Sequence, residues 1–229
     1  MNQKSFILLV LILIIFFSVW AAYFRDKNNV SIGEMPRLQP EKISETEPVS
    51  LPVAEKNTEE KTKMLFLPLN RAGERITKKP FGIFITPQTS PVQPEKFRGY
   101  HTGTDFEILP GEENAEVSVK AVCSGKLVMK KSATGYGGVA VESCELNGEP
   151  ITVVYGHLKL ASININVEEK INAGDMLGIL GRGYSNETNG ERKHLHLGFH
   201  KGGSVNILGY VQNKSDLFKW LDACLYVCE

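Results

Sequence analysis

The chain has neither an excess of one charge nor a cysteine motif that would bind zinc. Its 26 lysines and arginines balance 26 aspartates and glutamates, so the formal net charge is zero. Nucleic-acid binding requires clustered positive charge, and we therefore expect no nucleic-acid partner. No Cys-x-x-Cys occurs among the four cysteines, which argues against a zinc site built from thiolates. Histidine is scarce as well: four of the five fall in three short motifs.

Charge is also missing from residues 6–24, which contain a single serine among apolar side chains. A helix of this length spans about 28 Å, close to the ~30 Å hydrocarbon core of a bilayer. We expect residues 1–24 to be an uncleaved signal anchor. A cleaved signal peptide is the alternative, because Ala21 and Ala22 are small residues near its end. In both cases we expect the rest of the chain outside the cytoplasm, either held at the cell membrane by one pass or secreted.

Residues 25–63 are punctuated by prolines and dominated by glutamate and lysine, and their apolar residues are isolated. Such a segment cannot bury enough surface to offset its ordering entropy. Its charges nearly cancel, so a tether fits better than a charged interaction tail. We predict a disordered linker here and one folded domain over residues 64–229.

Short apolar runs separated by turn residues predict a mainly β, antiparallel, sandwich-like domain. The predicted strands are 117–123, 126–131, 138–144, 151–155, 176–180 and 194–200, preceded by strand-type runs at 64–67 and 81–85. Gly135 to Gly137 predicts one hairpin turn, and Asn147-Gly148 predicts the next. A single C-terminal helix is predicted over residues 215–225, whose apolar residues recur at helical spacing.

The first predicted hairpin bears on the cysteines. If it closes symmetrically, Cys144 lies opposite Ser124 or Gly125, and one residue of register slip or a bulge brings Cys123 to it. We expect a Cys123–Cys144 disulfide in an oxidising compartment. Cys224 and Cys228 lie four residues apart, where helical geometry strains a bridge. Free thiols and a bridge in an unwound end both remain open for this pair.

The last predicted strand contains the sequence His-Leu-His-Leu-Gly-Phe. Successive side chains of a strand point to opposite faces, so His194 and His196 share one face. Leu195, Leu197 and Phe199 are offered to the other. One apolar face and one imidazole face predict a strand that lies beneath a concave polar site.

A second cluster, His-Thr-Gly-Thr-Asp, supplies His101 and Asp105 around a glycine that lets the backbone fold. A catalytic zinc keeps three nitrogen or oxygen ligands and an exchangeable water. His101, Asp105 and one histidine of the pair make such a set, and the spacing does not decide between His194 and His196. His157 lies in a third motif, Tyr-Gly-His-Leu, where a purely structural hydrogen-bonding role is also open.

These motifs resemble those of the lysostaphin-type (LytM-like) zinc endopeptidases of bacterial cell walls. That family carries His-x-Gly-x-Asp, Gly-rich hairpins, Tyr-x-His-Leu, a Gly-Asp turn followed by Gly-x-x-Gly, and His-Leu-His, and this chain has all of them in that order over residues 80–203. The resemblance implies the duplicated hybrid motif fold and Zn²⁺ as cofactor. It implies that His101, Asp105 and His196 bind the metal, that His194 is a catalytic base, and that His157 stabilises or protonates the tetrahedral intermediate.

Some residues of this chain have no counterpart among the family's motifs. His200 matches no functional residue of the family, and we interpret it as structural. The polar loop 182–192 departs from the family pattern, and it is either a solvated loop or one wall of a substrate groove. Lys193 stands where the family commonly has proline. Both departures concern the fit of the substrate.

The resulting hypothesis is a membrane-tethered zinc endopeptidase that cuts peptides of peptidoglycan. A non-catalytic relative that binds wall or activates another hydrolase is the alternative, although all five functional residues are present. A phosphocarrier of similar fold would be cytoplasmic, which conflicts with the apolar N-terminal segment. A carboxypeptidase would need Glu-x-x-His, and the one match, Glu191 to His194, falls in a strand pattern.

Overall fold

The computed structural model describes residues 65–229. The predicted membrane segment 1–24 and linker 25–63 lie outside the described residues. The described part is built mainly of antiparallel strands with few and short helices, as predicted. None of its helices is long and apolar enough to cross a membrane.

Twelve strands occur in the described range. In chain order they are β1 (Phe84–Ile85), β2 (Gly99–His101), β3 (Thr104–Glu107), β4 (Ser118–Lys120), β5 (Gly125–Ala133), β6 (Gly137–Leu146), β7 (Glu149–Gly156), β8 (Lys170–Ile171), β9 (Met176–Ile179), β10 (His194–Lys201), β11 (Tyr210–Val211) and β12 (Trp220–Leu221). The α-helix is α1 (Cys224–Val227), and the 3-10 helices are Ala72–Arg75, Leu160–Ser162, Asn186–Thr188 and Lys214–Lys219.

The largest sheet has the strand order β12-β10-β7-β6-β5-β8. Strands β3 and β12 pair with the same edge of β10, β3 along residues 194–197 and β12 along residues 199–200. A three-stranded sheet has the order β1-β2-β11, and β4 pairs with β9. All of these pairings are antiparallel. Strand β10 therefore lies between β7 on one side and β3 on the other.

The two faces of β10 are packed differently. Leu195, Leu197 and Phe199 are fully buried in the main apolar core, as the alternation along the strand predicts. The imidazole face is bordered by a smaller apolar cluster that includes Tyr136 and Trp220. The strand thus separates a dry core from the polar site above it.

Six of the predicted strands are present as β4, β5, β6, β7, β9 and β10, with ends shifted by a few residues. The turn at Asn147-Gly148 is also as predicted, and both residues have positive φ, 53° and 82°. The run at 81–85 forms only the two residues of β1, and residues 65–67 form no strand. β2, β3, β8, β11 and β12 are strands that the sequence patterns did not reveal.

The predicted helix over residues 215–225 is wrong. The segment forms a 3-10 helix at Lys214–Lys219, then β12, then the four-residue α1. Phe218 and Leu225 are 66% and 75% exposed, so the apolar residues at helical spacing do not form one buried face. Trp220 instead pairs with His200 across the sheet edge and is buried there.

The predicted Cys123–Cys144 disulfide is present. The pairing of β5 with β6 shifts by one residue between Leu127 and Met129, and beyond the shift Lys126 lies opposite Ser143. The expected register slip therefore does not place Cys123 opposite Cys144, and the disulfide reaches a residue that precedes β5. The sequence left open whether Cys224 and Cys228 are bridged, and the structure has a disulfide between them.

Candidate metal centre

Strand register brings two parts of the chain 91 residues apart into one site. Asp105 of β3 lies directly opposite His196 of β10, and Glu107 lies opposite His194. Residues two apart in a strand share a face, so all four polar side chains emerge on the same side of the sheet. All four are at least nine-tenths buried.

The turn between β2 and β3 comes very close to β10 and requires glycine. A Cβ atom at Gly103 would lie 2.6 Å from the Leu197 carbonyl oxygen and 2.7 Å from His196 Nε2. No larger residue fits without moving the backbone. This close approach brings His101, at the end of β2, against the histidines of β10.

Three donor atoms meet at this point. His101 Nε2 lies 3.0 Å from His196 Nδ1, and Asp105 Oδ1 lies 3.2 Å from each of these nitrogens. Ligands held about 2.0–2.1 Å from a tetrahedral zinc are roughly 3.3 Å apart, so the triangle has the size that such an ion requires. These residues form a group that could hold a metal ion, and His196 is the member of the histidine pair that belongs to it.

The protonation of the ligand histidines suits metal binding. His101 Nδ1 lies 3.2 Å from the Pro80 carbonyl oxygen, to which it donates, so Nε2 is left with a free electron pair. Burial lowers the pKa of His196 to about 4, which keeps the ring neutral at neutral pH. Burial would raise the pKa of Asp105, but the imidazoles of His194 and His101 outweigh it and hold that pKa well below its usual value.

The second oxygen of Asp105 has other partners. Oδ2 accepts a hydrogen bond from Arg192 at 2.9 Å and lies 3.3 Å from His194 Nε2. His194 Nδ1 lies 2.9 Å from the Arg192 carbonyl oxygen. Because a carbonyl oxygen only accepts, the Nδ1 nitrogen of His194 is the one that carries a proton.

His157 completes the group of predicted site residues. Its ring centroid lies 4.2 Å from that of His194, and its backbone is held at φ 64°, a conformation rare for residues other than glycine. Strained backbone of this kind clusters at functional sites. Burial and the neighbouring His194 lower the pKa of His157 well below its ordinary value, so the ring is neutral.

A cavity of about 260 Å³ opens over these residues. Asp105, His157, His194 and His196 line it, and His101 lies fully buried behind it. Tyr136 also lines the cavity, with its ring centroid 5.2 Å from that of His196. Within the described residues, Tyr136 Oη, His157 Nδ1 and His196 Nε2 are buried without a hydrogen-bond partner.

All five predicted site residues are therefore brought together, and His200 is not among them. It lies further along β10, with its ring centroid 4.8 Å from that of Trp220. Of the polar loop 182–192, only Glu191 and Arg192 line the cavity, so the groove wall is confined to its end. Lys193 turns away and donates to the carbonyl oxygen of Glu112 at 2.8 Å.

Two aromatic residues of the site were not found by sequence reasoning. Tyr136 was interpreted only as part of a hairpin turn, and Tyr210, whose ring centroid lies 5.2 Å from that of His101, belongs to a two-residue strand. The Gly-Tyr-Gly-Gly sequence around Tyr136 was the one available signal, because glycines on both sides of the ring allow a tight turn and a close approach to other parts of the chain. Tyr210 offers no comparable pattern.

Comparison with known proteins gives a family match over the same part of the chain. Residues 99–207 match the family described as Peptidase family M23. Endolysin 2638A of Staphylococcus phage 2638A is 30% identical over 135 residues, which cover 53% of this chain. The matched region spans only 26% of the length of that endolysin.

Several solved structures are also similar. LytU has 27% identity and a TM-score of 0.45, over 66% of this chain and 83% of LytU. CbpA from L. salivarius REN has 23% identity and a TM-score of 0.47, over 71% of this chain and 94% of CbpA. Csd3 of Helicobacter pylori has 22% identity and a TM-score of 0.41, over 66% of this chain and 35% of Csd3.

Proposed function

We propose that this chain, whose residues 99–207 match the family described as Peptidase family M23, is a zinc endopeptidase that hydrolyses peptide bonds of bacterial peptidoglycan. The observation that carries the proposal is the triangle of His101 Nε2, Asp105 Oδ1 and His196 Nδ1, with edges of 3.0–3.2 Å. Two nitrogens and one oxygen, with room for a fourth ligand, match the ligand set of a catalytic zinc. The similarity to an endolysin supports a cell-wall substrate.

His101, Asp105 and His196 would hold the ion. When bound, zinc would polarise a peptide carbonyl and lower the pKa of a bound water to about 7. The side chains must still bind the peptide and move protons. The cavity beside the three ligands provides the space for the scissile bond.

His194 is the proposed base. Its Nδ1 donates a hydrogen bond to the Arg192 carbonyl oxygen. The free electron pair is therefore on Nε2, the nitrogen that lies 3.3 Å from Asp105 Oδ2. Nε2 accepts a proton from the attacking water and then delivers it to the leaving amine nitrogen. A positioned acid–base group of this kind typically contributes about 10²- to 10⁴-fold in rate.

His157 is proposed to hydrogen-bond the reacting carbonyl of the substrate. The neutral ring carries one N–H, and its Nδ1 has no partner in the described part of the protein. The Tyr136 hydroxyl is another buried polar group at the cavity without a partner in the described residues. A buried donor without a partner costs about 1–3 kcal/mol, and a substrate oxygen would recover part of this energy.

The membrane assignment is part of the same proposal. We propose an anchor over residues 1–24, a tether over residues 25–63 and the peptidase domain over residues 64–229. The nineteen uncharged residues at 6–24 support the anchor. The domain then acts outside the cytoplasm, where peptidoglycan is located.

Digestion of purified sacculi, followed by mass spectrometry of the released fragments, tests the function. We expect soluble peptide-containing fragments whose new termini identify the bond that is cut. Release should stop on chelation, return on addition of zinc, and be absent for His194→Ala. Sacculi that stay intact with the zinc-loaded protein bound to them would instead support a non-catalytic wall-binding relative.

A further inference from the structure

Arg192 is a buried cation at the end of the polar loop, two residues before His194, and its guanidinium lies between two carboxylates. Its NH2 nitrogen donates to Asp105 Oδ2 at 2.9 Å, and its Nε lies 2.9 Å from both oxygens of Glu107. A further short contact joins the same NH2 nitrogen to Glu107 Oε1. The Arg192 side chain is only 7% exposed, so these ion pairs are buried and do not lie on the protein surface.

The guanidinium separates the tasks of the two Asp105 oxygens. Oδ2 is held by Arg192, and Oδ1 is thereby directed to the triangle with His101 and His196. A carboxylate that is free to rotate would present either oxygen to a metal. A carboxylate with one oxygen fixed presents the other in a single geometry.

Glu107 keeps this arginine in place. It follows Asp105 by two residues in β3, so both carboxylates emerge on the same face and receive the planar donor from the same side. Lys78 lies 3.3 Å from Glu107 Oε2, so the two buried carboxylates are matched by two cations. The Nε and NH2 nitrogens of the guanidinium are thus both engaged by buried carboxylates.

The main chain of Arg192 acts on a second group. Its carbonyl oxygen accepts the Nδ1 proton of His194 at 2.9 Å, which sets both the orientation and the tautomer of that ring. One residue is therefore connected to the proposed ligand Asp105 through its side chain and to the proposed base His194 through its backbone.

We propose that Arg192 is a positioning residue of this site: its guanidinium fixes the Asp105 carboxylate for metal binding, while its carbonyl group orients His194. The inference rests on the proposed function, because it assigns Asp105 as a ligand. It goes beyond that function by making metal affinity depend on a residue that is not one of the proposed ligands.

The test compares zinc dissociation constants, measured for the full chain in detergent by competition with a chelator. Arg192→Lys keeps the charge but loses the planar fork that contacts both carboxylates. Arg192→Gln combined with Glu107→Gln removes the fork while keeping the charges balanced. We expect the double variant to bind zinc about 10- to 100-fold more weakly, and the lysine variant to fall between it and the unmodified chain.

Arg182→Lys is the matched control, since Arg182 belongs to the same loop but is exposed and lies outside the cavity lining. Melting of the metal-free proteins shows whether each variant keeps the fold. Folded variants with zinc affinity within twofold of the unmodified chain overturn the proposal. Loss of the metal-free fold in both variants also overturns it, because Arg192 is then a structural ion pair. An unmodified chain that binds no zinc refutes the proposed function itself, which separates the two failures.

Discussion

At the scale of single residues, the histidines His194 and His196 of β10 have different partners. His196 contributes Nδ1 to the triangle of donors, whereas His194 faces the opposite oxygen of Asp105 and is held by the Arg192 carbonyl group. The two histidines are two residues apart and equally buried. Burial and sequence position therefore do not distinguish them, and only their partners do.

Substitution of the two histidines should separate metal binding from catalysis. We expect His196→Ala to abolish stoichiometric zinc, because two protein ligands remain where three are needed. We expect His194→Ala to keep zinc and lose about 10²- to 10⁴-fold in turnover. Metal content after dialysis and hydrolysis of sacculi measure the two effects.

The control for this pair is His200→Ala, a buried imidazole of the same strand outside the site. It should keep both zinc and turnover. Equal loss of metal from the His194 and His196 variants would contradict the proposed division of roles.

At the scale of elements, the hairpin of β6 and β7 carries a buried carboxyl group away from the metal centre. Glu142 is fully buried, and Tyr155 of β7 donates to its Oε2 at 2.7 Å. The backbone N–H of Val122 in turn donates to the Tyr155 hydroxyl at 2.8 Å. Burial raises the pKa of Glu142 to about 8, although the Tyr155 hydrogen bond opposes the shift.

This raised pKa predicts a pH-dependent stability. Between about pH 4.5 and 8 the folded chain retains the Glu142 proton and the unfolded chain releases it. Rising pH therefore favours unfolding: the contribution is fully present below pH 4.5 and is lost as the pH passes through about 8. We expect Glu142→Gln, which cannot ionise, to be more stable than the unmodified chain at pH 8, with the difference shrinking by up to about 1.4 kcal/mol per pH unit towards pH 5.

Denaturant unfolding at pH 5, 6.5 and 8 measures the effect. Glu149→Gln is the matched control, since Glu149 begins the adjacent strand but is exposed, and its unfolding curve should follow that of the unmodified chain. Free energies of unfolding that differ between the unmodified chain and Glu142→Gln by the same amount at all three pH values would show that Glu142 does not retain a proton in the folded state.

At the scale of the whole molecule, the cysteines and the N-terminal segment favour the same compartment. All four cysteines are paired, as Cys123–Cys144 and Cys224–Cys228. Disulfides persist in oxidising environments and are rare in the cytosol. The proposed anchor at residues 1–24 and the proposed tether at 25–63 would hold such a domain at a distance from the membrane surface.

The anchor is tested by fractionation of cells that express the full chain. We expect it in the membrane pellet, resistant to high salt and released by detergent, because about twenty apolar residues partition into the bilayer. A chain in which a cleavable signal peptide replaces residues 1–24 should be soluble. Recovery of the full chain in the soluble fraction, shortened at its N-terminus, would instead support the cleaved signal peptide.

The sequence was sufficient for the features that depend on neighbours along the chain. The alternation of Leu195 and Leu197 with His194 and His196 follows from the two-residue period of a strand, and the structure has this alternation. Asn147-Gly148 predicted its turn because few residues other than glycine and asparagine adopt positive φ without strain. The five proposed site residues were predicted from short motifs and from the resemblance of those motifs to a known family.

Tertiary structure decided what depends on partners far along the chain. The proposed role of Arg192 follows from its contact with Asp105, 87 residues away. The proposed ligand atom of His196 follows from the register that places this residue opposite the same aspartate. Residues 215–225 do not form the single helix that their apolar spacing predicted, because Trp220 pairs with His200 at the edge of the sheet. Local patterns specify which side chains share a face, but strand register and long-range contacts determine which atoms meet, and the chemistry of this site is set by those atoms.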